Sequence, residues 1–227
     1  MHDEKKIAPV TGHNATTMKI LILGATGVTG KATLARALAE ARVEQVIAPT
    51  RRRLPPHPKL VNPVAAQLDQ LLPEANAWKV DAVICAMGTT IRKAGSKTAF
   101  RHVDYELPMA FSERAHRNGA DVIALVSSPG ASLSIPLLYC RTKGEVERDI
   151  KGIGFPSVTI VRPGMIGAER EEFRLAERIV MPVATLLRPL LPRGLRVNPV
   201  GNIAKVLVES VLERQPGVRM VTSREMV

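Results

Sequence analysis

Tyr139 and Lys143 lie four residues apart at the start of a predicted helix, so their side chains share one face. Ser127 and Ser128 come shortly before them, at the end of a predicted strand. A tyrosine can donate or accept a proton at the oxygen of a carbonyl or an alcohol, and a nearby ammonium favours the phenolate form that a base requires. A serine hydroxyl can hold the same oxygen. The spacing therefore predicts a proton-transfer group of Ser128 (or Ser127), Tyr139 and Lys143. The alternative is a packed tyrosine beside a surface lysine.

A glycine-rich turn near the start of the fold predicts a second function. Residues 20–23 are apolar, glycines follow at three-residue intervals, and residues 31–42 have an amphipathic helical pattern. At such a strand–turn–helix junction, free N–H groups and the positive end of the helix dipole face an anion. This favours a nicotinamide dinucleotide over a glycine turn without ligand. The cofactor-binding residues predicted here are Gly24, Thr26, Gly27, Val28, Thr29 and Gly30.

Arginines follow the second predicted strand, where an NAD-specific site usually has a carboxylate for the ribose hydroxyls. The residues are Arg51, Arg52 and Arg53, and no acid accompanies them. A guanidinium pairs well with a phosphate and stacks on adenine. The sequence therefore predicts NADP, with NADPH preferred over NADH, and assigns Arg51 and Arg52 to the cofactor. A solvated basic loop is the alternative, and it leaves the missing acid unexplained.

Two more loops follow predicted strands at the same edge of the sheet. Small and hydroxyl-bearing residues suit close approach to the cofactor's ribose and nicotinamide, although they also suit an ordinary loop. The predicted cofactor residues are Gly88, Thr89, Thr90, Arg162, Pro163 and Gly164. The five histidines have no ligand spacing, so no metal is predicted. Asp104 and Glu106 are interpreted as solvated or capping residues of a long helix.

Alternation of apolar runs with helical patterns predicts the elements that must position these residues. Because the strands are continuously apolar and followed by helices, the expected fold class is α/β, a doubly wound parallel sheet (Rossmann fold). After the first strand, further strands are predicted at 45–49, 59–65, 80–87, 121–127 and 157–162, and later helices at 97–118, 137–151 and 201–214.

One domain is predicted. Residues 1–17 form a flexible extension, and residues 18–227 form a single NAD(P)-binding domain. Residues 163–227, which are proline-rich in their first part, are expected to build a small irregular substrate-side region. Within it, the apolar segment 179–195 is a candidate lid, homodimer contact or membrane-surface contact, and the sequence does not choose among these roles.

Composition limits the kinds of partner and the cellular location that the sequence predicts. The net charge is +11, yet basic residues alternate with acidic ones and only 3% of residues are aromatic, so nucleic-acid binding is disfavoured. No apolar run reaches the roughly 20 residues of a membrane helix. Cys85 and Cys140 have neither metal nor disulfide spacing, and the first ten residues lack the apolar core of a secretory signal. These observations predict a cytoplasmic protein.

Taken together, the motifs resemble the Tat-interacting-protein branch of the atypical short-chain dehydrogenase/reductases, over residues 19–214. The segments that carry the resemblance are the glycine turn, Arg51-Arg52, Gly88-Thr89-Thr90, Lys93-Ala94-Gly95, Val103-Asp104, Ser127-Ser128, Tyr139, Lys143-Gly144-Glu145-Val146-Glu147 and Arg162-Pro163-Gly164.

The resemblance implies a Rossmann fold that binds NADPH. It also implies that Tyr139 is the acid/base, that Lys143 anchors the nicotinamide ribose, and that Ser128 orients the substrate. Asp104 replaces an asparagine that often completes the proton relay, and residues 63–66 lack a common adenine-contacting acid.

Two functions follow from these motifs. The first is hydride transfer between NADPH and a carbonyl or alcohol substrate. The second is an NADPH-sensing regulatory protein without significant turnover that acts through protein partners. A sugar-nucleotide epimerase is less favoured because the part after the sixth strand is short for a nucleotide-sugar pocket.

Overall fold

The computed structural model describes residues 17–164, 166–167 and 197–227. The segment 179–195 and all of the predicted extension 1–17 except Thr17 lie outside these ranges. The described strands are β1 (Met18–Leu23), β2 (Val43–Ile47), β3 (Leu60–Val61), β4 (Ala82–Cys85), β5 (Val122–Val126), β6 (Ser157–Arg162), β7 (Ile166–Gly167), β8 (Asn198–Pro199) and β9 (Gly217–Thr222).

Seven of these strands form one parallel sheet in the order β3-β2-β1-β4-β5-β6-β9. The short strands β7 and β8 pair with each other, also in parallel. The chain winds outward from β1 in both directions, which confirms the predicted doubly wound α/β fold. The carboxyl ends of β1 and β4 meet at the point where the winding reverses, and ligands bind at that edge in folds of this kind.

Helices cover both faces of the sheet. They are α1 (Val28–Ala39), α2 (Leu72–Ala75), α3 (Ile91–Ala94), α4 (Lys97–Arg101), α5 (Leu107–Arg117), α6 (Leu138–Ile153) and α7 (Val200–Glu213), with 3₁₀ turns at Leu68–Leu71 and Ser223–Met226. Helices α1 and α7 pack against each other on one face, and α5 and α6 pack on the other.

Alternate residues of β1 show why its sequence is continuously apolar. Ile20 and Ile22 belong to the core beneath α1 and α7, whereas Leu21 and Leu23 belong to the core beneath α5 and α6. All four side chains are at most 1% exposed. A strand buried on both faces cannot alternate polar and apolar residues, so the uninterrupted apolar run is required.

The helix predicted over residues 97–118 is present in three parts. Helix α4 is followed by a π-helical stretch, His102–Glu106, and then by α5. Pro108 has no N–H to donate to the carbonyl of residue 104, so the regular α ladder cannot continue there. Instead, the N–H of Leu107 donates to the carbonyl of His102, five residues earlier. The helix predicted over residues 97–118, with Pro108 as a possible bend, is thus present, and its irregular turn lies just before that proline.

Two differences concern the edges of the sheet. Strand β9 pairs with β6 along its whole length and was not predicted. Together with α7, it makes part of the region 163–227 a regular part of the sheet and of the helices that cover it. The third strand has only two residues, followed by an isolated parallel bridge between Thr50 and Val64. Pro63 lies between strand and bridge, and its missing N–H prevents a regular ladder there.

Candidate functional site

The glycine turn brings the ends of β1 and β4 into backbone contact. Gly24 has a φ of +82°, and a Cβ added there would lie 2.7 Å from the carbonyl oxygen of Ala86. A Cβ on Gly30 would lie 2.0 Å from the carbonyl oxygen of Gly24. Packing therefore requires glycine at both positions, and the positive φ is a second requirement at Gly24 alone. Gly27 is exposed, and its N–H closes the turn with a 2.9 Å bond to the Gly24 carbonyl.

The N-terminus of α1 is left open by this turn. Gly27 is the N-cap, no side chain caps the helix, and its first turn has no acidic residue. Thr26 is exposed, Val28 is half-buried and Thr29 is buried. The first amides of a helix lack partners within the helix, and the dipole makes this end positive. The turn therefore has the composition and geometry of an anion site.

The arginine loop after β2 is held by Asn62. The Asn62 amide donates to the carbonyl of Ala48 at 2.7 Å and to the hydroxyl of Thr50 at 2.8 Å. The Thr50 hydroxyl donates in turn to the carbonyl of Arg52 at 2.7 Å. These bonds fix the backbone of the loop while Arg51, Arg52 and Arg53 remain exposed. The three guanidinium groups are thus presented to solvent just after β2.

A buried ion pair lies where the helix of the predicted proton-transfer group meets the sheet. The Nζ of Lys143 is 2.9 Å from Oδ1 of Asp104, and the two side chains are 5% and 0% exposed. The other oxygen of Asp104 accepts the N–H of Thr89 at 2.8 Å. Asp104 was interpreted as solvated or capping, and that interpretation is wrong. Its sequence signal was weak, because an acid on an amphipathic helix usually faces water.

The charge state of Lys143 follows from this pairing. Burial lowers the pKa of Lys143, but Asp104 and Tyr139 raise it more, so the pKa of Lys143 lies above its ordinary value. The nearby Cys85 thiol, fully buried on β4, has its pKa raised to about 11 mainly by that burial. At neutral pH the Lys143 ammonium therefore stays charged and the Cys85 thiol stays neutral.

The loop after β4 covers the ion pair. Gly88 is exposed, and a Cβ added there would lie 3.5 Å from both Oδ1 of Asp104 and Nζ of Lys143. Thr89 is half-buried, and its backbone is fixed by Asp104. Thr90 is exposed and serves as the N-cap of α3, where its hydroxyl accepts the N–H of Lys93. The structure thus brings Gly88 and Thr89 to Lys143, whereas Thr90 shapes the following turn.

Hydroxyl groups of the predicted proton-transfer group have different surroundings. Tyr139 is 37% exposed, with its ring centroid 5.9 Å from that of Phe100. Ser127 and Ser128 are buried at the end of β5, and within the described part of the chain their hydroxyl oxygens have no hydrogen-bond partner. A buried hydroxyl without a partner is uncommon in folded proteins. Both serines are therefore suited to hold a polar group of a ligand.

Helix α6 is anchored by the residues that follow Lys143. A Cβ on Gly144 would lie 2.7 Å from the backbone of Ser132, so this glycine lets α6 contact the loop after β5. Glu145 pairs with Arg101, and Val146 is fully buried in the core. Glu147 is 3% exposed and pairs with Arg162. Each residue of this segment thus fixes one contact of the helix that carries Lys143.

Arg162, the last residue of β6, and the loop that follows it form hydrogen bonds within the protein. Arg162 donates to both oxygens of Glu147, at 2.8 and 2.6 Å, and to the carbonyl of Ala131 at 3.3 Å. Pro163 is buried, and the N–H of Gly164 donates to the side chain of Asn198 at 2.7 Å. The Arg162 guanidinium is thereby committed to the wall of the site. Cofactor binding by residues 162–164 stays a prediction.

Replacing Glu147 by glutamine is expected to lower the free energy of unfolding by about 3 kcal/mol, since it leaves the Arg162 guanidinium without its countercharge. Urea denaturation measures this change. Glu209→Gln is the control, because the ion pair of Glu209 with Arg36 is exposed on both sides and its loss costs about 0.5 kcal/mol. Equal losses in the two variants would contradict the structural role of the buried pair.

No group of three or more His, Cys, Asp or Glu side chains within 17–164 and 197–227 is placed to hold a metal ion. In the same part of the chain, no helix is long and apolar enough to cross a membrane.

The sequence of this chain is similar to those of named fungal proteins. The protein named "Protein FMP52, mitochondrial" from Candida albicans is 31% identical over 204 residues, which cover 85% of this chain and 87% of that protein. The chain belongs to the FMP52 family. A second FMP52 protein, from Eremothecium gossypii, is 31% identical over 219 residues, covering 92% of this chain and 96% of that protein. No family model matches the chain.

Solved structures of other proteins resemble this FMP52-family chain at the level of the fold. A short-chain dehydrogenase family protein from Francisella tularensis has a TM-score of 0.70 at 14% identity, covering 92% of this chain and 98% of that one. The Bordetella bronchiseptica enzyme WbmH, solved in complex with NAD+, has a TM-score of 0.67 at 14% identity over 91% of this chain and 76% of that one. Identities this low show the fold alone, which is a Rossmann-like α/β fold.

The names of the FMP52 relatives also correct one expectation. Both are named mitochondrial, which contradicts the predicted cytoplasmic location. The prediction rested on two unpaired cysteines and an N-terminal stretch without an apolar core. Unpaired thiols indicate only a reducing environment and do not distinguish one reducing compartment from another.

Proposed function

We propose that this FMP52-family chain is an NADP-dependent oxidoreductase of the short-chain class, which transfers a hydride between NADPH and a carbonyl or alcohol substrate. One observation carries the proposal: the buried ammonium of Lys143 lies under Gly88, four residues after the exposed Tyr139. Gly88 directly follows the Ala86–Met87 backbone that Gly24 contacts. A continuous path of contacts thus joins the glycine turn to the proposed proton-transfer group.

The described residues fit a dinucleotide. Gly24 and Gly30 have no space for a Cβ, and the N-terminus of α1 has neither a cap nor an acid that would compete with a pyrophosphate. Ser127 and Ser128 supply buried hydroxyls without partners in the described chain. When bound, the cofactor supplies or takes the hydride. The protein's own residues would hold it, orient the substrate and move the proton.

Three side chains have proposed roles at the reacting oxygen. Tyr139 donates the proton to the carbonyl oxygen during reduction, or removes it from the alcohol during oxidation. Lys143 directs its ammonium towards the nicotinamide ribose and favours the phenolate of the neighbouring tyrosine. Ser128, with Ser127 beside it, donates a hydrogen bond to the substrate oxygen. Tyr139 is exposed enough to meet a substrate, and Lys143 is buried enough to act as a fixed charge.

The preference for NADP over NAD is a further part of the proposal. It is supported by the exposed Arg51 and Arg52, on a backbone that Asn62 fixes, and by the absence of an acid among them. Placement in the Tat-interacting-protein branch is supported by the ordered motifs, since each residue from Lys143 to Glu147 makes a defined contact. We also propose one NAD(P)-binding domain and, from the relatives' names, a mitochondrial location.

The double variant Arg51→Ala/Arg52→Ala is expected to weaken NADPH binding by about 10²- to 10⁴-fold and to leave NADH binding nearly unchanged. Each lost charge-assisted hydrogen bond costs about 1.5–3 kcal/mol, and 1.4 kcal/mol corresponds to a factor of ten. Titration of the purified protein with NADPH and NADH, followed by nicotinamide fluorescence, measures both affinities.

The control for this titration is Arg117→Ala/Lys151→Ala, which removes two exposed positive charges from α5 and α6. It should retain the wild-type preference. If the wild type binds neither nucleotide, the proposed function is rejected. If it binds NADPH but reduces no member of a panel of aldehydes, ketones and quinones, the result favours the NADPH-sensing regulatory protein that acts through partners.

A further inference from the structure

Asp104 is the most completely enclosed charged group near the proposed site. The residue is 1% exposed, and each of its carboxylate oxygens lies close to a positively charged or N–H group. Oδ1 lies 2.9 Å from the ammonium of Lys143, and Oδ2 accepts the N–H of Thr89 at 2.8 Å. One side chain thus connects helix α6 with the loop after β4. An unpaired buried carboxylate would be strongly destabilising, so these two contacts account for its retention in the interior.

The π-helical stretch explains how an acid in a surface helix comes to lie inside. The neighbours of Asp104 in this stretch form their hydrogen bonds on the outer side of the helix. His102 bonds to Glu106 at 2.8 Å, and the Tyr105 hydroxyl donates to Asp149 at 2.8 Å. Asp104 lies on the inner side, within reach of α6 and the loop after β4. Pro108 interrupts the α ladder and produces the wider turn. Such π stretches occur frequently at functional sites.

We propose that Asp104 is a positioning residue, which holds the Lys143 ammonium and the Thr89 amide as one rigid unit beneath the nicotinamide-ribose end of the site. This inference rests on the proposed function. Asp104 acts through Lys143 and the loop after β4, and it has no assigned contact with the reacting atoms. The alternative is a purely structural ion pair that stabilises the fold without affecting the lysine's chemistry at the site.

The surroundings of Lys143 make Asp104 decisive for its charge. Three titratable groups face the ammonium: Asp104 from the π-helical stretch, Tyr139 from its own helix, and Cys85 from β4. Asp104 is the one carboxylate among the three, and burial keeps the Cys85 thiol protonated at neutral pH. Without Asp104, burial would act on Lys143 with no carboxylate to oppose it, and a lysine in that position loses its proton more easily.

Asp104→Asn separates the two roles of the side chain. The amide keeps an oxygen that can accept the Thr89 N–H, but it has no charge for Lys143. The titration of Lys143 is measured without nucleotide by ¹³C NMR of the lysine ε-carbons, and the signal is identified by its loss in Lys143→Arg. In the wild type we expect a pKa above about 10.4, the ordinary lysine value. In Asp104→Asn we expect a pKa lower than in the wild type, because burial then acts on Lys143 without the carboxylate that opposes it.

Nucleotide binding is the second measurement. A lysine that Asp104 no longer holds in place binds the ribose hydroxyls more weakly, so Asp104→Asn should weaken NADPH binding by about tenfold, which corresponds to about 1.4 kcal/mol. The control is Asp149→Asn, which removes the carboxylate bonded to Tyr105 on the outer side of the same stretch. This control should change neither the titration of Lys143 nor the affinity for NADPH.

The outcomes distinguish the inference from the proposed function. An unchanged Lys143 pKa in Asp104→Asn, or a wild-type Lys143 that titrates below the ordinary lysine value, overturns the positioning role. So does an unchanged NADPH affinity in the same variant. If the wild type binds no nucleotide, the proposed function fails, and the NMR titration still decides whether Asp104 controls Lys143.

A second variant covers the case in which Asp104→Asn does not fold. Asp104→Asn/Lys143→Met removes both charges together, so it should recover a cooperative thermal transition if the uncompensated ammonium caused the failure. In that case the wild-type titration and the recovery together support the coupling. Failure of the double variant to recover would mean that Asp104 acts on the fold independently of Lys143, which contradicts the proposal.

Discussion

Gly30→Ala is expected to abolish nucleotide binding and to lower the free energy of unfolding by about 3 kcal/mol or more. The added Cβ would lie 2.0 Å from the carbonyl oxygen of Gly24, 2.7 Å from its carbonyl carbon and 3.0 Å from the Cα of Ala25. All three atoms are backbone, so no side-chain rotation can make space. Either α1 moves away from β1, or the turn that faces the anion opens. Both changes destroy the geometry on which a pyrophosphate site depends.

Gly201→Ala is the matched control for this substitution. Gly201 also lies in the first turn of a helix, α7, but a Cβ added there meets nothing within 4 Å. Alanine should therefore stabilise the protein by up to about 1 kcal/mol through helix propensity. Urea denaturation and NADPH titration of the two variants measure the contrast. If Gly30→Ala folds and binds NADPH as the wild type does, the close approach of α1 to the turn is wrong.

Tyr139→Phe is expected to reduce turnover by about 10²- to 10⁴-fold, the usual contribution of a positioned general acid or base. Stability and NADPH affinity should change little. Tyr139 is 37% exposed, and within the described part of the chain its hydroxyl makes no hydrogen bond, so only the proton transfer is removed. Steady-state reduction of a carbonyl substrate found in the panel measures kcat, and nucleotide fluorescence measures binding in parallel.

Tyr105→Phe is the natural comparison, because the chain has only two tyrosines. The Tyr105 hydroxyl donates to Asp149 on the outer side of the helix layer, away from Gly88 and Lys143. Its loss should cost about 1 kcal/mol of stability without reducing kcat. Equal turnover in wild type and Tyr139→Phe would show that the proton comes from another group, and the mechanism proposed for Tyr139 would be wrong.

Much of the fold could be predicted because its signals are local. The bounds of β6 were predicted to the residue, and the glycine turn was predicted from its spacing together with its position between an apolar run and a helical pattern. Both depend on short-range requirements: a strand buried on two faces must be apolar, and a backbone that contacts backbone must lack a Cβ. The positions of β1, β4 and β5 follow from the same requirement and differ from the prediction only at their ends.

The missed features depend on contacts between distant parts of the chain. Asp104 is inside because Pro108 widens a helical turn and because Lys143 arrives from a helix that begins over 30 residues later. No local pattern contains that information. Strand β9 was missed because its first four residues, which include Arg219, are exposed. It therefore lacks the continuous apolar run that is typical of a central strand. It forms a strand because it pairs with β6 along its whole length.

The position of β9 has a consequence for how the chain is completed during synthesis. A ribosome-bound chain that has been made as far as Glu213 already has the other six strands of the sheet, with β6 as an open edge of unpaired N–H and C=O groups. Such an edge readily pairs with a strand from another molecule until its own partner emerges. Val218 and Met220 are then 58% and 41% exposed on the finished outer strand. During the interval between the synthesis of Glu213 and that of β9, β6 is therefore without the strand that covers it in the finished sheet.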